Sequence, residues 1–209
     1  MLGRPREETR LITCHLGNGA SMCAIDHGKS VDTSMGFTPL EGLLMGTRTG
    51  DLDPAVVFYV MHKEDLTEHQ TNTLLNKHSG LYGISGLSND MRELLAEEAK
   101  GHERAKLAID ILCYRVRKYA AAYAGVMGGA DAVIFTGGIG ENSAPVRERS
   151  MRGLEFMGVH VDPAKNAAAV GCEADISTED ASVRVLVIPT NEELLIARDT
   201  LRLVEGVLH

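Results

Sequence analysis

The chain is short of positive charge. Lysine and arginine number 21 against 29 acidic residues, a formal net charge of −8 with histidine neutral. No basic stripe runs along it, which argues against a nucleic-acid partner. A phosphorylated ligand would have to be held by local groups and a metal, not by a general positive field. The four cysteines, Cys14, Cys23, Cys113 and Cys172, show no C-x-x-C spacing, so zinc is not indicated. Residues 1–10 are charged and lack the apolar core of a signal peptide. The cysteines are therefore expected as reduced thiols in a cytoplasmic protein. No apolar run approaches the length a membrane span needs. Neither G-x-S-x-G nor the Walker pattern G-x-x-x-x-G-K-[ST] occurs, and no repeat or low-complexity tract is seen. What remains, with 44% hydrophobic and 24% charged residues over 209 positions, suits one sizeable globular core.

Glycine is where the chain speaks. Residues 131–142 read Asp-Ala-Val-Ile-Phe-Thr-Gly-Gly-Ile-Gly-Glu-Asn. The apolar run Ala132 to Phe135 predicts a buried strand. Gly137, Gly138 and Gly140 follow, and they let backbone approach a ligand where a Cβ would clash. Glu141 and Asn142 are expected near a helix start, where free N–H groups favour anions. Taken alone, the stretch is as readily a plain strand-to-helix turn as a ligand corner.

A second glycine-rich stretch lies near the beginning. Residues 11–25 form two strand-like runs joined by Gly17-Asn18-Gly19. Asn-Gly is a strong signal for a two-residue type I′ hairpin turn. With residues 17 and 20 paired, Cys14 would stand opposite Cys23, as packing neighbours that could bridge on oxidation. The same count puts His15 on the other face from Cys14. With Asp26-His27-Gly28-Lys29 as the next turn, an antiparallel three-stranded meander is expected. His15 would lie at the hairpin tip, where a glycine loop and a histidine donor can wrap a phosphate. A half-buried structural histidine is the plainer reading of that residue taken alone. In residues 32–54, dense in glycine and hydroxyls, Arg48 sits between Gly46 and Gly50. Its guanidinium suits bidentate binding of a phosphoryl group or carboxylate; a lone arginine is more often a surface ion-pair partner.

These stretches together resemble the acetokinase family. The matching words are His15-Leu16-Gly17-Asn18-Gly19-Ala20-Ser21, residues 32–42 (Asp-Thr-Ser-Met-Gly-Phe-Thr-Pro-Leu-Glu-Gly), Met45-Gly46-Thr47-Arg48-Thr49-Gly50-Asp51, residues 135–142, and Pro189-Thr190-Asn191-Glu192-Glu193. The resemblance runs from about Leu2 to about Leu201. It implies the carboxy-terminal, nucleotide-binding lobe of a two-lobed kinase, with the amino-terminal lobe and its catalytic aspartate absent. It also implies an actin-like, ribonuclease H-like α/β fold, ATP or ADP with Mg²⁺, and phosphoryl transfer to acetate giving acetyl phosphate. Propionate and butyrate kinases share much of this vocabulary. A homodimer through this lobe is implied as well. A non-catalytic nucleotide-binding or dimerisation module is the competing class.

The resemblance assigns roles residue by residue. His15, Leu16, Gly17, Asn18 and Gly19 would hold phosphate oxygens, and Arg48 and His15 would be catalytic. Gly138, Ile139, Gly140, Glu141 and Asn142, with Asp90, Met91 and Arg92, would hold the adenosine side. Glu192 would be the magnesium-associated carboxylate. For Asp90, helix capping is the alternative, since Ser88-Asn89-Asp90 precedes a helical pattern. Residues 190–193, Thr-Asn-Glu-Glu, fit a capping box with Thr190 as N-cap and Glu193 folding back, which would leave Glu192 free.

Elsewhere, helices are expected over 54–62, 65–77, 103–127, 144–157 and 191–204, with a break at 79–83 and a strand over 183–188. In the longest helix, Ala105, Ala108, Leu112, Val116, Tyr119, Tyr123 and Val126 form the apolar face.

Overall fold

The computed structural model describes residues 1–207, with side chains described to residue 204. Strands Arg10–Leu16 (β1) and Ala20–Asp26 (β2) pair antiparallel, and Lys29–Thr33 (β3) completes the meander. Ile12, Cys14 and Leu16 are buried, and His15 points to the opposite face, as a period of two requires. The hairpin register differs from the two-residue turn. Leu16 pairs with Ala20, so Gly17, Asn18 and Gly19 form a three-residue loop. Neither Asn18 nor Gly19 has positive φ, so no type I′ turn forms. Cys14 consequently faces Met22, and Cys23 faces Thr13. The two thiols lie on opposite faces of the hairpin, which rules out a cross-strand disulfide in this register.

Five helices separate β3 from the next strand: Pro54–Lys63 (α1), Glu68–Lys77 (α2), Gly80–Ser85 (α3), Met91–Ala99 (α4) and Glu103–Met127 (α5). Ala132–Thr136 (β4) lies parallel to β1. Helices Gly137–Asn142 (α6), Ala144–Met151 (α7) and Pro163–Ala168 (α8) follow. Ala174–Asp175 (β5) is an edge strand antiparallel to Arg184–Val187 (β6), and β6 is parallel to β4. Helix Glu192–Val207 (α9) comes last. The sheet order is β3-β2-β1-β4-β6-β5, the actin-like, ribonuclease H-like arrangement.

Local chemistry accounts for most boundaries. Thr67 and Gln70 make a reciprocal capping box, so α2 starts at Glu68 and not at 65. The 79–83 stretch breaks the chain only briefly, since α3 starts at Gly80 with positive φ. Helix α7 stops at Met151; Gly153 takes positive φ, and a 3-10 turn at Glu155–Met157 replaces the end of the expected helix. Gly128 closes α5 in the left-handed conformation. Along α5 the buried stripe is Ala105, Ala108, Ile109, Leu112, Cys113, Val116, Ala120, Tyr123, Ala124 and Met127, packed across β1 and β2. Val126 falls outside it and is 64% exposed. The expected face, continued in steps of seven through Leu112, Tyr119 and Val126, drifts by about 20° per step on a helix of 3.6 residues per turn and so leaves the buried stripe by Val126.

Candidate functional site

Strands β1, β4 and β6 run parallel, so their carboxyl ends share one edge of the sheet. Ligands of open α/β sheets gather beyond that edge. His15 pairs in register with Thr136, immediately before Gly137. Gly137 has positive φ, and a Cβ there would press on the Leu16 backbone. The glycine corner and the hairpin tip are therefore held together by a glycine no other residue could replace without strain.

The hairpin loop is tied in turn to the loop that carries Arg48. Gly46 N–H donates to Asn18 O at 2.9 Å, and Asn89 Nδ2 donates to Asn18 Oδ1 at 2.7 Å. A Cβ on Gly46 would strike the Asn18 side chain. Arg48 Nη1 lies 3.6 Å from where a Cβ of Gly19 would be, so the guanidinium rests over the hairpin tip. Arg48 donates to Pro39 O at 3.2 Å and meets Met45 Sδ at 3.7 Å. It enters no ion pair among the described residues, which removes the plainer surface-pair reading. The loop is closed at its neck by Asp51. Asp51 N–H donates to Gly42 O, and Asp51 Oδ1 accepts from Gly42 N–H at 2.9 Å. Arg115 and Tyr119 on α5 donate to Asp51 Oδ2 at 3.1 and 2.8 Å.

A cavity of about 590 Å³ opens between these parts. It is lined by Gly17 and Asn18 of the hairpin, by residues 89–92 and Leu95 on α4, and by Gly138, Ile139, Asn142, Ser143 and Pro145 beyond β4. Three segments singled out in the sequence thus share one cleft. His15, Leu16, Gly19, Gly140, Glu141, Arg48 and Glu192 lie outside its lining. Asn89, Leu95, Ser143 and Pro145 are additions. Leu95 could have been read from Met91 at helical spacing. Ser143 gave no signal in sequence, yet its hydroxyl is buried with no hydrogen-bond partner among the described residues. An orphaned buried hydroxyl in a cleft wall is a ready contact for a polar ligand.

Asp90 is the N-cap of α4, the alternative reading offered for it, and it also lines the cleft. Its carboxylate caps α4 by accepting from Arg92 N–H at 2.8 Å, and it also pairs with the Arg92 guanidinium at 2.6 and 3.1 Å. Those hydrogen bonds, the Arg92 side chain first, pull its pKa down to about 2.

One expectation fails at the β6 end and one is refined at the β4 end. Glu141 and Asn142 stand just ahead of α7, as expected, but they are also the last residues of α6. Glu141 Oε1 accepts from Gly137 N–H at 2.8 Å, Thr190 N–H at 2.8 Å and Thr190 Oγ1 at 3.1 Å. That carboxylate ties the β4 corner to the β6 end. Thr190 is occupied there, so it does not cap α9. Asn191 does, its Oδ1 accepting from Leu194 N–H at 3.0 Å. The cap is one residue later than the capping box predicts, and Leu194, not Glu193, holds its third position. Glu192 is exposed on the first turn of α9. No group of three or more His, Cys, Asp or Glu that could hold a metal occurs among the described residues. A lone carboxylate fits a metal that draws its other ligands from phosphate oxygens and water, as Mg²⁺ does.

The chain matches the model of the acetokinase family over residues 1–198. It is 60% identical over 206 residues to an acetate kinase of Heliobacterium modesticaldum, covering 99% of this chain and 51% of that protein. It is 58% identical to the acetate kinase of Methanosarcina thermophila, covering 98% of this chain and 50% of the relative. Among solved structures, Porphyromonas gingivalis acetate kinase superposes with a TM-score of 0.92 at 47% identity, covering 95% of this chain and 50% of the other. A Francisella tularensis propionate kinase gives 0.84 at 44% identity, over 90% and 48%. The chain spans about half the length of the relatives it matches. With this fold, this ordered set of motifs and these likenesses, the chain belongs to the acetokinase family.

Proposed function

We propose that this chain is the nucleotide-binding half of an acetate kinase, which moves the γ-phosphoryl group of ATP to acetate and runs the reverse. The observation that carries the reading is the cleft, where the hairpin loop, the start of α4 and the glycine corner converge at the carboxyl edge of the sheet. In it, Asn89 to Arg92, Leu95, Ile139 and Ser143 would receive adenosine. His15 and the hairpin amides would hold phosphate oxygens. Arg48, without a carboxylate partner among the described residues, would meet charge developing on the transferring group. Glu192 would hold Mg²⁺, which supplies charge neutralisation on the phosphates when bound. Acetate as acceptor, a cytoplasmic location and a homodimer belong to the same proposal and rest on the family resemblance.

The acyl pocket, the catalytic aspartate and a second phosphate loop would come from a further lobe. Helices α1 and α9 support such packing: no residue of α1 is buried, and Phe58, Leu201 and Leu203 are exposed. Phosphoryl transfer depends mainly on positioning, so a divided site loses most of its rate. In a coupled assay the 209-residue chain alone should form negligible acetyl phosphate. Addition of an amino-terminal lobe from a relative should restore it, with acetate preferred over propionate. Turnover by the chain alone close to that of a full-length relative would refute the divided site, and a preference for propionate would move the proposal to that kinase.

A further inference from the structure

Ser143 stands at the N-cap of α7, a position where a serine readily accepts a backbone N–H of the first turn. The N-cap side chains of α1, α2, α4, α5 and α8 all do so. Ser143 makes no such bond. The residue is only 8% exposed, and its hydroxyl has no hydrogen-bond partner among the described residues. Thr49, Tyr123, Ser150 and Thr178 also carry buried hydroxyls without partners, but none of them lines the cleft, and Ser143 does. A buried hydroxyl left unpaired costs free energy, and forgoing the cap bond costs more.

The cleft has two ends. Gly17 and Asn18 of the hairpin form one, and Asn89 is bonded to Asn18 there. Leu95 on α4 and Pro145 on α7 form the other. One turn beyond them, Arg149 donates to Glu98 at 2.9 Å through both Nη atoms, so the two helices face each other at that end. Ser143 enters this second end. Its N–H donates to Ile139 O at 2.9 Å, which brings Ile139, another lining residue, beside it. Leu95, Ile139 and Pro145 are apolar, and the nearby Asp90 carboxylate is already engaged by Arg92. A purine base has apolar faces and a polar edge, which suits apolar walls with a convergent hydroxyl. We infer that Ser143 is the hydrogen-bond partner of that polar edge, and that the base supplies the bond its hydroxyl lacks within the chain. The inference rests on the nucleotide reading of the cleft. A hydroxyl both donates and accepts, so it fixes where the edge lies without demanding one particular atom.

Ser143→Ala separates a ligand contact from a structural one, because the two move stability and affinity differently. Alanine removes a hydroxyl that nothing in the fold pairs, so urea unfolding without ligand should show a midpoint no lower than that of the wild type. Calorimetry of the full chain then reads the site. Ser143→Ala should weaken ADP and adenosine by about three- to tenfold, the worth of one net hydrogen bond. Pyrophosphate affinity should not change. The same loss should appear with 2′,3′-dideoxy-ADP, whose base is intact and whose ribose hydroxyls are gone. Four results overturn the inference while leaving the nucleotide reading intact. They are equal ADP affinity in variant and wild type, an equal loss for pyrophosphate, a loss that vanishes with the dideoxy analogue, and a lowered urea midpoint. A wild-type chain with no affinity for ADP removes the nucleotide reading itself, and the inference with it.

Discussion

At the scale of single residues, the partners of the arginines set Arg48 apart from several others in the fold. Arg149, Arg184 and Arg115 each meet a carboxylate, and Arg48 meets only a carbonyl and a thioether. In a complete enzyme, Arg48→Ala should lower kcat by roughly two to four powers of ten with little change in the KM for ATP if, as proposed, it acts on charge that develops in the transition state. Lysine at 48 should rescue only in part, since it lacks the planar fork. A KM effect as large as the kcat effect would assign Arg48 to ground-state binding. Asp90 offers a test in pH. Its pKa is depressed to about 2, so the contribution of its ionised form is complete above the ordinary value near 3.8 and lost as pH falls toward 2. A carboxylate NMR titration should show a midpoint near 2 in the wild type, and Arg92→Ala should return it toward the ordinary range. An unmoved midpoint in that variant would mean that the backbone donors alone depress it. Residue identities were legible in the sequence; their partners were not. Thr190 looks like a cap by spacing alone, and only the fold reveals that Glu141 has claimed its N–H and hydroxyl.

At the scale of elements, agreement follows the number of independent local signals. Helix α5 runs from Glu103 to Met127 as its periodicity and closing glycine predict, and β4 follows as an apolar run. The hairpin failed by one residue because Asn18 is engaged from outside it, by Gly46 and Asn89. Local turn preference is weaker than such tertiary claims. Strand β5, two residues long, is too short for any alternation to be seen. Residues 137–142 read as an open glycine loop but coil into α6, since the glycines are needed at the corner and not along an extended arm. The drift of the α5 stripe has a measurable consequence. Leu112→Ala should cost about 3 kcal/mol in urea unfolding, as a fully buried leucine truncated in a packed core does. Val126→Ala should cost roughly 0.5 kcal/mol or less, because its side chain is mostly in water. Comparable losses at both sites would mean that Val126 is covered by a partner.

At the scale of the whole molecule, the parallel strands explain why motifs far apart in sequence act together. Residues near 15, 90, 140 and 190 arrive at one edge because β1, β4 and β6 end there and α4 caps the same side. The central claim is that the cleft at this edge takes a nucleotide. Gly138 gives the cleanest access to it. A Cβ added there meets no atom of the chain within 4 Å, so the fold should tolerate valine while the side chain fills the cleft. Calorimetric titration of the chain and of Gly138→Val with MgADP is the direct measurement. The account predicts a saturable heat of binding in the wild type and none in a folded Gly138→Val; equal affinity in the two proteins would contradict it.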